Sequence, residues 1–224
     1  MPGRLYFRQL LSGRDFAAGD QLATQMVNFT YLIGDRQTAE AVVVDPAYAV
    51  EELVDIAAAD GMRLVGVLAT HHHPDHVGGS MMGYGIEGVS RLLEVADVPI
   101  HVNRNEKEWV RRTTGVEATS LVDHEGGDVI QVGDIEIHTL HTPGHTPGSQ
   151  CFVVEDMLVA GDTLFLEGCG RTDLPGSDPR AMQESLRLLA SLPDNLALFP
   201  GHRYSAPSSA TMEVVKEMNP VLQS

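Results

Sequence analysis

Only two of the 224 residues are cysteine, Cys151 and Cys169, and neither has a CxxC partner. This excludes a disulfide framework and a cysteine-based zinc site, so any metal has to be held by imidazole and carboxylate. Basic residues are also scarce: 15 Lys and Arg face 31 Asp and Glu, a formal net charge of −16. Such a chain repels phosphate backbones, which argues against a nucleic-acid binder and against a protein of anionic membrane surfaces. Nowhere do about 18 apolar residues run together, the least a spanning helix needs. Arg4, Arg8, Arg14, Asp15 and Asp20 break every apolar stretch near the N-terminus. Neither a signal-peptide core nor a lipidation start is therefore expected, and the chain reads as cytoplasmic. No linker-like stretch divides it, so residues 1–224 read as a single domain.

Histidine is what the chain has in number. Its ten imidazoles leave the charge count unchanged and supply the commonest metal ligand in proteins. Residues 26–33 and 41–45 are apolar, β-branched-rich runs around Gly34-Asp35-Arg36, which predicts a strand hairpin. Val50, Leu53, Val54 and Ala57 share one helical face that Gly61 ends, and 64–69 reads as a buried strand stopping at Thr70. Helices are expected over 86–95 and about 103–113, either side of a strand at 100–102. The runs 129–131, 135–139, 151–154 and 157–160 read as hairpin strands. Asp178 as N-cap and Pro179 at the first position open a helix over 179–191, with Met182, Leu186 and Leu189 on one face. A last strand at 197–200 precedes a helix over about 208–218, stopped by Asn219-Pro220. Hairpins and strand–helix alternation coexist, and no G-x-G-x-x-G follows a strand. The pattern predicts an α/β (α+β) chain of two face-to-face sheets under outer helices, a four-layer αββα sandwich rather than a Rossmann sheet.

The most informative stretch is Thr70-His71-His72-His73-Pro74-Asp75-His76-Val77-Gly78-Gly79. Four imidazoles and a carboxylate fall within six residues, on a loop where a buried strand ends, and they have no packing role there. Three isolated signals follow at later strand ends: His145 in His141-Thr142-Pro143-Gly144-His145, Asp162 in Ala160-Gly161-Asp162-Thr163, and His202 in Phe199-Pro200-Gly201-His202.

Together these residues resemble the metallo-β-lactamase-fold superfamily. Its signature T-H-x-H-x-D-H is matched by Thr70 to His76, and its later His, Asp and His motifs by His145, Asp162 and His202, a likeness running over about 26–220. The resemblance implies the αββα metallo-β-lactamase sandwich and two adjacent metal sites. His71, His73 and His145 would hold one ion, Asp75, His76 and His202 the other, and Asp162 would bridge them, with Asp75 and Asp162 as the catalytic carboxylates; His72 and Pro74 take the x positions. Two divalent ions, zinc first with iron or manganese suiting the same donors, would share a hydroxide of lowered pKa and polarise a carbonyl.

The run Asp162-Thr163-Leu164-Phe165-Leu166-Glu167-Gly168-Cys169-Gly170-Arg171-Thr172-Asp173 is similar to a segment of glyoxalase II-like hydrolases (hydroxyacylglutathione hydrolases). That likeness implies a metal-bound hydroxide attacking a small thioester, whose thiolate, of pKa about 8.5, leaves without a strong general acid. Glyoxalase II proper has a further C-terminal helical domain with basic residues for glutathione, and no such stretch follows His202 here. Cys169 to Asp173, with the ending from His202 and Tyr204 to Asn219-Pro220, also looks like the persulfide dioxygenases. These imply the alternative of a single iron on His71, His145 and Asp162, a facial triad oxidising glutathione persulfide. A metal-binding protein without hydrolase activity is the second alternative.

Arg171 and Tyr204 are the substrate-binding candidates, with Arg203 beside the latter. Arg104, Lys107 and Arg111 form a basic stripe that reads as a solvated face. Cys169 reads as a small packed residue, His141 as a neighbour supporting His145, His101, His124 and His138 as ordinary histidines, and Trp109 as core. The expected partner is a small-molecule thioester or thiol-derived compound, with no nucleic acid and no membrane; a homo-oligomer is left open.

Overall fold

The computed structural model describes residues 3–223. Strand β1 (Leu5–Leu11) and the short helix α1 (Gln21–Met26) precede a hairpin of β2 (Phe29–Asp35) and β3 (Glu40–Val44). Helix α2 (Val50–Ala59) leads to β4 (Arg63–Leu68), the one-turn helix α3 (Pro74–Val77) and a small hairpin of β5 (Gly79–Met81) and β6 (Tyr84–Ile86). Next come α4 (Val89–Val95), β7 (Ile100–Asn103), α5 (Lys107–Thr114) and β8 (Leu121–His124). The second half runs β9 (Val129–Val132), β10 (Ile135–His141), β11 (Gln150–Val154) and β12 (Met157–Gly161). It closes with α6 (Pro179–Ala190), β13 (Ala197–Pro200), β14 (Ala210–Thr211) and α7 (Met212–Met218).

Two six-stranded mixed sheets result, in the orders β1-β2-β3-β4-β7-β8 and β14-β13-β12-β11-β10-β9. The central strands β3 and β12 read as unbroken apolar runs because both faces are covered, whereas β9 and β10 alternate between buried and exposed residues. Along β2 and β3, Tyr31, Ile33, Val42 and Val44 turn toward the second sheet and meet Ile130, Ile137, Phe152 and Val159. The alternate residues Leu32 and Val43 face outward, where Leu53, Leu92 and Val110 of α2, α4 and α5 cover them. On the far side, Leu158 and Leu198 lie under Leu186, Leu189 and Met212 of α6 and α7. Each large apolar side chain buried in these layers contributes roughly 1.5–3 kcal/mol. This is the predicted four-layer αββα arrangement. No helix among the described residues is long and apolar enough to cross a membrane.

Several predicted boundaries move for identifiable reasons. The run 26–33 splits, because Met26 closes α1 and Val27 turns left-handed at φ 50° before β2 begins. The helix expected from residue 86 starts at Val89, since Tyr84–Ile86 pairs with Gly79–Met81. Asn103 still belongs to β7, so the next helix begins at Lys107 with Glu106 as its N-cap. The last helix starts at Met212, where Thr211 caps the Val214 N–H. The predicted cap of α6 is present: Asp178 accepts from Arg180 N at 2.8 Å and Ala181 N at 3.1 Å.

The loops that follow β4, β10, β12 and β13 meet at one edge of the sandwich. Gln150, opening β11, fastens the two sheets there, its N–H donating to Thr70 O at 2.9 Å and its side chain to Ala69 O at 2.8 Å.

Candidate metal centre

The histidine-rich loop changes conformation midway, and this divides its ligands. His73 is extended, so His71 and His73 point one way and His72 the other. Pro74 then occupies the first position of α3, which presents Asp75 and His76 from a single helical turn before Gly78, at φ +85°, ends it.

The imidazoles are oriented from behind. His145 Nδ1 donates to Arg171 O at 2.8 Å and His202 Nδ1 to Met26 O at 2.7 Å. His76 Nδ1 donates to Asp45 Oδ2 at 2.9 Å. The Thr70 hydroxyl gives its proton to Asp45 Oδ2 at 2.6 Å, so it accepts from His71 Nδ1 at 2.9 Å. With Nδ1 of all four rings engaged from behind, each Nε2 is turned to the site, where a metal ion would take the place of a proton.

Two three-residue sets suited to a metal ion form in this way, His71 with His73 and His145, and Asp75 with His76 and His202. Asp162 lies between them: its Oδ2 is 3.7 Å from His145 Nε2 and 3.3 Å from His202 Nε2, and its Oδ1 is 3.4 Å from His76 Nε2. Gly201 is required beside it, because a Cβ there would stand 2.2 Å from Asp162 Oδ1. Asp45, His71 and His76 make a further trio within reach. Asp45 nevertheless acts as an orienting carboxylate, since both its oxygens are engaged by Thr70 and His76.

The residues fit divalent cations. His71 Nε2 and Asp162 Oδ1 are buried without a hydrogen bond, and the Nε2 atoms of His76 and His202 converge to 3.2 Å beside them. Such orphaned acceptors are costly unless a cation satisfies them.

Electrostatics separates the sets. Burial and the surrounding imidazoles hold His71 well below the usual histidine range and lower His73 to about 3. Burial acts the same way on His76, but Asp162, Asp75 and the Asp45 hydrogen bond outweigh it and push its pKa up to about 10. His202 is raised too, its burial outweighed by Asp162 and Asp75. Asp162 stays below the usual carboxylate range, because His202, His76 and His145 outweigh its burial.

All seven expected ligands are thus brought together. Tyr204 stacks flat on His202, 4.8 Å between ring centres and 6° between planes, with Phe165 edge-on to it at 5.0 Å. Arg171 touches the site through its carbonyl, while its exposed guanidinium pairs with Asp173 at 2.9 Å. The basic stripe is neutralised on the surface: Arg104 and Lys107 pair with Asp123, and Arg111 and Arg112 with Glu108. His141 holds its own turn, through Pro147 O at 3.0 Å. Trp109, read as core, is half-buried and stacks on His72 at 4.9 Å. Cys169 is half-buried, and that burial raises its thiol pKa.

Sequence reasoning missed Asp45, Asn28, Tyr48 and Glu106. Asp45 closes the buried run Val42-Val43-Val44, and Asn28 is a lone amide entering another apolar run; those interruptions were the available signals. Glu106 accepts from His72 N at 2.8 Å, His72 Nδ1 at 2.5 Å and Gly148 N at 2.6 Å, which clamps two ligand loops together.

A model described as the metallo-beta-lactamase superfamily matches residues 23–202. The chain belongs to that superfamily. Over 224 residues it is 31% identical to the mitochondrial persulfide dioxygenase ETHE1 of Bos taurus, covering 98% of this chain and 81% of that protein. It is 37% identical over 183 residues to the hydroxyacylglutathione hydrolase of Rhodopseudomonas palustris, covering 80% of this chain and 64% of that one. Among solved structures, TTHA1623 in a di-iron-bound form superposes with a TM-score of 0.69 at 29% identity, covering 87% of this chain and 95% of that one. Most members of this superfamily are enzymes, so a metal-dependent enzyme on the αββα scaffold is the coarse assignment.

Proposed function

We propose that this chain is a two-metal hydrolase of the glyoxalase II type that opens a small thioester in the cytoplasm. The observation that carries the reading is the completeness of the second set. A mononuclear oxygenase would use His71, His145 and Asp162, and the persulfide dioxygenases retain the other residue types as well; what supports two ions here is that Asp75, His76 and His202 are as buried as the first set, with His76 and His202 oriented from behind. The di-iron form of TTHA1623 supports two ions on such a scaffold. Zinc is the metal we assign first, with iron or manganese suited to the same donors.

Two divalent ions bound there supply a water that is deprotonated near neutral pH and a Lewis acid for the thioester carbonyl. The protein's part is to hold that chemistry in place. Asp162, kept ionised by the imidazoles around it, joins both sets, and Asp75 anchors the second. Tyr204 and Phe165 form an aromatic wall that shields the second set from water and offers a flat face to the substrate. The Arg171 guanidinium is exposed and paired with Asp173, and would receive an anionic group of the thiol portion by exchanging that partner. The leaving thiolate needs no strong acid.

Elemental analysis of protein purified from its own host, paired with hydrolysis of a hydroxyacylglutathione, tests this reading. Two ions per chain with turnover are expected; full activity in a metal-free preparation ends it. One observation favours the dioxygenase: alignment with ETHE1 spans 98% of this chain against 80% for the hydrolase. One iron per chain with oxygen uptake on glutathione persulfide would establish that alternative, and no uptake with iron fully loaded would exclude it.

A further inference from the structure

Asn28 is a buried amide at the centre of the site with no role in the reading above. Its Nδ2 lies 3.1 Å from Asp75 Oδ2, 3.3 Å from His76 Nε2 and 3.5 Å from His202 Nε2. All three contacts of this nitrogen are therefore to the second set. Because the Asp75 carboxylate only accepts, the NH2 end of the amide must face the ligands, and on the other side the Tyr48 hydroxyl donates to Asn28 Oδ1 at 3.1 Å.

Backbone bonds fix its position as firmly. Residues 26–29 run beside 201–203: Phe29 N donates to Gly201 O at 2.8 Å, Arg203 N to Val27 O at 3.0 Å, and His202 Nδ1 to Met26 O at 2.7 Å. Asn28 thus travels with His202 rather than with the histidine-rich loop, and it spans from one ligand of the set to the other two.

We propose that Asn28, steadied by Tyr48, is a positioning residue that sets how tightly Asp75, His76 and His202 hold their ion while leaving the all-histidine set untouched. The inference rests on the two-ion reading. An N–H from Asn28 keeps Asp75 Oδ2 turned toward His76 and His202, from which it stands 3.6 and 3.4 Å. Without that donor the carboxylate is free to turn away, while His71 and His145 keep their supports in the Thr70 hydroxyl and the Arg171 carbonyl. Hydrogen-bonding partners of metal ligands typically account for about 10- to 100-fold in metal affinity.

The test is equilibrium dialysis of the full chain against a series of free Co²⁺ concentrations, counting bound ions and following the cobalt absorption bands, with circular dichroism as the folding control. Wild type should bind two ions. Asn28→Ala should keep the first at unchanged affinity and weaken the second about 10- to 100-fold. Tyr48→Phe, which frees the amide while preserving its surroundings, should weaken the second ion by a smaller factor. Parallel loss of both ions in Asn28→Ala overturns the inference, as does an unchanged second ion in either variant. Should Asn28→Ala fail to fold, Tyr48→Phe decides alone. One ion in wild type overturns this inference and the proposed function together. Two ions with no thioester hydrolysis remove the proposed function and leave this inference standing.

Discussion

Single carboxylates do several jobs in this centre, and they differ in what their loss would take away. Asp45 receives Thr70 N, the Thr70 hydroxyl and His76 Nδ1, so it shapes the loop and one ring without presenting a free oxygen of its own. Asp162 is the reverse, with Oδ1 buried and unbonded between the two sets. Asp162→Ala should therefore remove bound metal and thioester turnover together; elemental analysis alongside the hydrolysis rate checks this, and full metal with no turnover would contradict it. The candidate ligands were legible in the sequence through the density of imidazoles in one loop, although one of the four, His72, packs on Trp109 and bonds to Glu106 instead of facing the centre. Asn28, Asp45 and Glu106 were not, because each acts by hydrogen-bonding to residues far away in the chain, and linear spacing carries no record of that.

Between elements, buried pairs link segments that neither sheet would hold alone. Glu106, at the N-terminal edge of α5, satisfies donors of the loops carrying His71, His73 and His145. Glu106→Ala leaves the His72 and Gly148 N–H groups buried and unpaired, at about 1–3 kcal/mol each. For a chain of this length that is a Tm lower by roughly 5–15 °C in thermal unfolding. His101 on β7 and His124 on β8 face each other at 2.8 Å, away from the metal centre. Burial and the neighbouring imidazole lower His101 to about 4. An unfolded histidine titrates near about 6.5, so between these values the unfolded chain binds the extra proton and stability is lost as pH falls. The loss should reach about 3 kcal/mol by pH 4, and His101→Asn should flatten it; urea midpoints at several pH values measure both. Hairpins and buried helix faces were readable from periodicity, whereas β1 and β8 were not. Both are edge strands, half covered, whose mixed pattern lacks the continuous apolar run of β2 or β3.

For the molecule as a whole, the four layers follow from strands buried on both faces, and the −16 charge surrounds a site that bound divalent ions would make electropositive. At low salt that charge repels an anionic thioester well before it meets the site, because screening extends about 30 Å at 0.01 M and only about 10 Å at 0.1 M. Raising ionic strength over this range should raise kcat/KM for an anionic thioester and leave a neutral one unchanged, and initial rates at low substrate will show it. One packing detail carries a practical consequence. Trp109 is the only tryptophan in the chain, and its ring lies against His72, the residue between ligands His71 and His73. All the indole fluorescence of the protein therefore originates beside the loop that carries His71 and His73, giving the molecule a native optical probe of that loop that needs no label.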